Sequence, residues 1–201
     1  MHVGLPGYKK DGQVNKDLVH HMSVCTLPSE NKLSFTTRFL ENGSVFKETL
    51  KNLKVGDEVN IFKFGSHMAL RREDKDIVFI SMGVAISTIR PLLYKYLDDD
   101  TNIGKIISVN INSSEEYIYK KEIDALENKK FDTFWINNRE DFYAKVNDLI
   151  SDEEKLFYVV GNDAFLVSMI HYLEGLGIAR KNIIIDKKPE KLQLLFEMVD
   201  K

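Results

Sequence analysis

The chain has 201 residues, 43% of them hydrophobic, enough to bury a sizeable core in one large or two small domains. Charged residues make up 29% and the formal net charge is −3, which argues against a polyanion as the main partner, so nucleic acid is not expected. Cys25 is the only cysteine, which excludes an intramolecular disulfide and fits a reducing compartment.

No window approaches the ~20 apolar residues that span a bilayer. The opening MHVGLPGYKKDG lacks the long apolar segment of a signal peptide. A soluble cytoplasmic protein without a membrane span is expected.

In chain order, the part up to about Glu73 reads as short strands punctuated by turns. Gly4, Pro6, Gly7, Asp11 and Gly12 break the opening, with Lys9 and Lys10 in that loop. VHHMSVCT and LSFTTRF read as an antiparallel pair joined through a turn at Ser29 to Asn31. A helix from Ser44 to Leu53 follows, with Phe46, Leu50 and Leu53 on one face and Ser44 as its cap. LKVGDEVNIFKFG then reads as a turn and another strand. Short strands with one helix point to a small antiparallel barrel.

The pattern changes at Asp74 to Asp76. DIVFISMGV is a continuous apolar run, as a strand buried on both faces requires. A helix over ISTIRPLLYKYLDDD, a strand KIISVNI and a charged helix from Ser114 to Glu127 come next. TFWIN is a third strand, REDFYAKVNDLI a helix and KLFYVVG a fourth strand. AFLVSMIHYLEGLGI is a helix, and NIIIDK the fifth strand. This alternation predicts a five-stranded, doubly wound parallel sheet. PEKLQLLFEMVDK closes the chain as an amphipathic helix with Leu192, Leu195, Phe196 and Val199 on its apolar stripe. The expected organisation is thus β followed by α/β, with residues 1–73, 74–186 and a C-terminal helix at 187–201.

Two strand-to-helix turns carry the chemistry of such a sheet, because ligands gather at the carboxyl ends of its strands. One is Ser81-Met82-Gly83-Val84-Ala85-Ile86-Ser87-Thr88; the other is Val160-Gly161-Asn162-Asp163-Ala164-Phe165. A helix N-terminus there offers N–H groups to a phosphate. Each turn is equally what an ordinary capped connection needs. His20 and His21 are adjacent on a strand and point to opposite faces, so they are not read as a metal pair, and no metal is expected. Cys25 lies in an apolar strand and reads as a buried, inert thiol. Tyr117, Tyr119, Phe131, Phe134 and Trp135 read as packing residues.

Taken together, the strand from His20 to Pro28, the segment FKETLKNLKVGDEV and the two turns resemble the ferredoxin–NADP reductase superfamily, over Gly4 to Asp186. In that family the first strand reads Arg-x-aromatic-Ser/Thr-apolar-small-Ser-x-Pro and lies along the flavin. Ser23, Thr26 and Pro28 keep the pattern; His20 stands for the arginine and Met22 for the aromatic. The first turn is similar to the family's Gly-Gly-x-Gly-x-Thr-Pro loop, with Gly83 kept and Ser87 for the threonine. The second is similar to its Cys-Gly-Pro-x-x-(Met/Phe) motif through Gly161 and Phe165.

The resemblance implies a partial flavin-binding barrel followed by a nicotinamide-nucleotide domain. It implies a flavin-dependent NAD(P)H oxidoreductase passing hydride from nicotinamide to flavin N5, beside Ser23, and on to an unknown acceptor. His20, Met22, Thr26, Ser44 and Lys47 then fall at FAD, and Gly83, Ser87, Gly161 and Phe165 at the nicotinamide nucleotide. Ser44 also reads as a plain helix cap and Lys47 as a solvated lysine. His20 cannot make the bidentate fork of an arginine, so FAD is expected to bind weakly and to be lost during purification. Asn110-Ile111-Asn112-Ser113-Ser114 holds no arginine for a 2′-phosphate, which favours NADH over NADPH.

The chain begins in what resembles the middle of the barrel, and Lys187-Lys188-Pro189 stands where relatives often carry an aromatic. The alternative is therefore a non-catalytic reductase-like module that binds a partner. An incomplete barrel exposes an edge. A homodimer, a partner chain or the folded segment MHVGLPGYKK is expected to cover it.

Overall fold

A computed structural model describes residues 1–126, 130–150 and 154–200 of the chain, which divides into two compact units, Met1–Gly65 and Ser66–Lys201.

In the first unit five short strands form: β1 (His2–Gly4), β2 (Lys9–Lys10), β3 (Gln13–Val14), β4 (Val19–His21) and β5 (Asn60–Phe62). β2 and β3 make a hairpin whose two loop residues, Asp11 and Gly12, both have positive φ, at 50° and 79°. That backbone matches the twist of the strands it joins, and Asp-Gly is the pair that tolerates it. β1 lies between β4 and β5, antiparallel to both, so the opening segment supplies the middle of a three-stranded sheet. Val3 on β1 is fully buried and packs with Met1, Leu5, Met22 and Phe46. Phe46 comes from the helix α1 (Val45–Lys51), which Ser44 caps by accepting the Lys47 N–H at 3.4 Å.

The pairing expected between VHHMSVCT and LSFTTRF is not the main one. β4 takes β1 as its ladder partner. The returning segment is held by one backbone bond, from the Cys25 N–H to the Ser34 carbonyl at 3.0 Å. The Ser34 N–H goes instead to the Thr26 hydroxyl oxygen at 3.1 Å. A side chain thus takes the donor that a second ladder bond needs.

The second unit alternates strand and helix: β6 (Lys75–Met82), α2 (Ile86–Asp98), β7 (Ile103–Ile111), α3 (Lys120–Asp124), β8 (Phe131–Ile136) and α4 (Arg139–Asp148). β9 (Lys155–Val160), α5 (Asp163–Gly175), β10 (Ile183–Ile184) and α6 (Pro189–Val199) complete it. The five strands are parallel in the order β10-β9-β6-β7-β8. Alternate residues of the buried runs serve opposite faces. Val78, Ile80, Val109 and Val159 meet Phe142 and Val146 of α4, Leu166 and Ile170 of α5, and Leu195 of α6. Ile77, Phe79, Leu156 and Tyr158 meet Ile89 and Leu93 of α2 and Ile123 of α3. Helices on both faces of a parallel sheet are the doubly wound arrangement.

The charged helix expected from Ser114 is shorter, five residues from Lys120. Asn112 explains the delay. Its Oδ1 accepts from the Ser114 N–H and hydroxyl, at 3.4 and 3.1 Å, and its Nδ2 donates to the Glu116 carbonyl at 2.9 Å. These local bonds compete with helix formation, and Glu115 and Tyr119 take left-handed φ of 57° and 60°. Glu127, the expected end of that helix, lies outside the described residues, as does Lys201 at the end of the C-terminal helix. No helix among the described residues is long and apolar enough to cross a membrane.

Candidate functional site

Strand order places the site. β6 and β9 are neighbours at the centre of the sheet, and the chain winds outward from them in both directions. Their registers end together, Ser81 opposite Val160. The two turns singled out in the sequence therefore rise side by side at the carboxyl edge, where the order reverses and open α/β sheets bind ligands.

After β6 the chain turns at Gly83, whose φ of 56° is left-handed; a Cβ built there meets nothing within 4 Å. A short 3₁₀ turn, Gly83–Ala85, runs into the thirteen-residue α2. Ser87 lies in the first turn of α2 and is buried. Beneath this turn, Asn110 of β7 pairs with Ser81 of β6. Its Nδ2 donates to the Ser81 hydroxyl at 2.8 Å and the Gly83 carbonyl at 3.2 Å.

After β9, Gly161 is a packing glycine. A Cβ there would stand 2.4 Å from Cδ1 of Phe165. Asn162 caps α5, its Oδ1 accepting the Phe165 N–H at 2.9 Å. Asp163 is paired with Lys187 at 2.9 Å and with Lys191 at 3.2 Å. Lys187, ahead of Lys191, holds the Asp163 carboxyl below the usual carboxylate range, with burial opposing. Lys187 is thus tied beside the second turn.

In the first unit the sequence candidates are spread over different surroundings. Met22 is buried in the core with Val3 and Phe46. His20 is exposed, its ring centroid 5.2 Å from that of Phe46. Thr26 is engaged with Ser34, and Ser44 with the Lys47 N–H. Lys47 Nζ donates to the Arg38 carbonyl at 2.6 Å. Ser23 is half-buried just beyond β4. The structure therefore brings Gly83, Ser87, Gly161 and Phe165 to one edge of the second unit, while it engages His20, Thr26, Ser44 and Lys47 with the first unit's own groups.

Sequence reasoning missed the Ser81–Asn110 pair as part of the site. The available signal was a polar residue near the carboxyl end of each of two largely apolar strands, Ser81 in DIVFISM and Asn110 in KIISVNI.

No protein-family model matches the chain, and no curated protein does. Solved structures are similar to it. They include the Amycolatopsis cytochrome P450 reductase GcoB, 14% identical with a TM-score of 0.70, covering 92% of this chain and 59% of that one. The H286L mutant of Plasmodium falciparum ferredoxin–NADP+ reductase with 2′P-AMP is 14% identical, TM-score 0.69, covering 92% and 80%. The CS-b5R domains of human Ncb5or, in the NAD+ form, are 16% identical, TM-score 0.64, covering 92% and 59%. The chain has the fold of ferredoxin–NADP reductase-like modules, a small antiparallel β unit followed by a five-stranded parallel α/β unit. It spans just under three fifths, 59%, of the length of the Ncb5or and GcoB chains.

Proposed function

We propose that the chain is a nicotinamide-nucleotide-dependent oxidoreductase module whose second unit receives NADH or NADPH at the carboxyl edge of the parallel sheet. The observation that carries this reading is the pair of turns rising from β6 and β9 at the reversal of strand order, with the outer face of Gly83 open. A diphosphate can approach the backbone N–H groups at the start of α2, where the helix dipole favours negative charge. Ser87 lies one residue into that helix, and Gly161 with Phe165 borders the nicotinamide half. Hydride leaves nicotinamide C4 with its electron pair for a two-electron acceptor; the protein supplies orientation and electrostatics.

NADH is the favoured donor. Between β7 and α3, Asn112 to Tyr119 contains Glu115 and Glu116 and no Lys or Arg, so a 2′-phosphate meets acidic side chains there.

FAD is the acceptor that the resemblance implies, with Ser23 beside its reactive edge. The residues present do not fit a tightly held FAD. His20 packs on Phe46, and Lys47 is spent on the Arg38 carbonyl. The acceptor is therefore taken as exchangeable. The same two contacts favour a second reading, a non-catalytic module that binds a nucleotide or a partner without turnover.

One experiment separates the two readings. Purified protein is mixed with NADH, and absorbance at the reduced nicotinamide band is followed with added FAD, FMN or the two-electron quinone acceptor menadione. Acceptor-dependent NADH oxidation supports the oxidoreductase. NADH binding with no oxidation by any of the three supports the non-catalytic module.

A further inference from the structure

Asn110 is the penultimate residue of β7, 1% exposed, and lies in register between Ser81 of β6, itself fully buried, and Trp135 of β8; Ser108 and Thr133 are the other buried polar residues of these strands. Burying an amide costs free energy unless its groups are bonded. Its Nδ2 meets the Ser81 hydroxyl at 2.8 Å, the Gly83 carbonyl at 3.2 Å and the Ser81 carbonyl at 3.4 Å. Two of these three are carbonyls, which only accept, so the group facing them is the amide NH2. Its Oδ1 has no partner among the described residues. The position is therefore not explained by core satisfaction alone.

The consequence lies in the turn above it. A peptide group is planar and trans, so its C=O and N–H point in opposite directions. Holding the Gly83 carbonyl down toward the sheet makes the Val84 N–H point away from it, out of the N-terminal end of α2. The Ile86 N–H also bonds the Gly83 carbonyl across the 3₁₀ turn. Gly83, with φ of 56° and no neighbour around its Cβ position, still leaves that peptide free to turn once these holds weaken, and the Asn110 amide is the one that comes from outside the turn. A flipped peptide would put a carbonyl oxygen where an anion must sit.

We propose that Asn110 is the positioning residue of the nucleotide site, locking the Gly83–Val84 peptide with its N–H toward the ligand's diphosphate. This rests on the reading of the carboxyl edge as a nucleotide site. Ser81 orients the Asn110 amide from the adjacent strand, and the buried polar pair serves the turn rather than the sheet.

The test is calorimetric titration of the full chain with ADP and with adenosine, on wild type, Asn110→Leu and Asn110→Ser, alongside thermal melts. Leucine matches the volume and cannot donate; serine is too short to reach the Gly83 carbonyl, and replaces leucine in the comparison if that variant does not fold. The expected result is a folded variant whose ADP affinity falls about tenfold to a hundredfold, the loss of one hydrogen bond to a charged group, with adenosine affinity unchanged. Hydrogen exchange of the Val84 amide should quicken in the same variant without ligand. Unchanged ADP affinity, or ADP and adenosine weakened by the same factor, overturns the role of Asn110 and leaves the nucleotide site standing. A wild type that binds neither ADP nor NADH removes the nucleotide reading and the inference with it.

Discussion

Gly161→Ala is the substitution whose consequence the structure defines most closely. The new methyl would lie 2.4 Å from Cδ1 of Phe165, 3.1 Å from its Cγ and 3.2 Å from its Cβ. Carbon pairs prefer about 3.5–4.0 Å. Turning the ring aside would disturb its packing against Phe142 and still leave the Cβ contact, because Cβ is fixed by α5, whose N-terminus is held by the Asn162 cap on the Phe165 N–H. The start of α5 must shift, an overpacking cost of about 1–3 kcal/mol. Phe165→Ala, at a half-buried ring that also contacts Phe142, should cost roughly 2 kcal/mol, below the range for a fully buried phenylalanine. With the ring gone the two closest contacts vanish and only the 3.2 Å approach to Cβ remains, so the double variant should be little worse than Phe165→Ala. The predicted coupling is about 1–2 kcal/mol. Urea unfolding followed by the fluorescence of Trp135, the only tryptophan and a residue of the second unit, measures all four corners of the cycle. Additive effects, with no coupling, would refute the argument that Gly161 is there to admit Phe165.

Three further outcomes are expected. Tyr158→Phe strips the hydroxyl that donates to the Ala69 carbonyl at 2.9 Å and accepts the Arg71 N–H at 2.8 Å, and should cost about 1–3 kcal/mol in the same unfolding assay. Asp163 has a carboxyl lowered by Lys187 and Lys191, so its contribution to stability is present above the ordinary carboxylate pKa and is lost as pH falls through the lower folded value. Melting temperatures from pH 7 down to pH 3 should therefore fall less steeply for Asp163→Asn than for wild type, and parallel curves would count against the pairing. His20→Arg should tighten FAD by roughly tenfold, as one added charge-assisted contact does. Flavin fluorescence titration reads this, and an unchanged dissociation constant would remove His20 from the phosphate side.

The second unit was legible because its strands are buried on both faces. DIVFISM, KIISVNI and KLFYVV appear as largely apolar runs too long and too β-branched for loops, each followed by a helix, the one after KLFYVV capped by Asn162. The two turns followed from the strands, since their chemistry is that of any switch point. The first unit was less legible. β1 spans only His2–Gly4 and runs into Pro6 and Gly7, so the middle strand of its sheet looks like a broken opening. The returning segment has strand-like residues, but Thr26 intercepts the Ser34 N–H, a side-chain choice that periodicity does not register. The delayed α3 has the same origin in Asn112. Asn110 was visible, with Ser108, as a polar residue in a buried run. Its role depends on the strand beside it and on the conformation of Gly83, neither of which lies within its own segment.

The central claim is that a nicotinamide nucleotide docks on the carboxyl edge of the second unit between the turns after β6 and β9. Its most direct test is a titration of isotopically labelled protein with NADH, reading backbone amide shifts residue by residue. The account predicts saturable shifts concentrated at Gly83 to Ser87 and Gly161 to Phe165, with the largest at Val84. Saturable shifts that spare both turns, or no shifts at millimolar NADH, would contradict it.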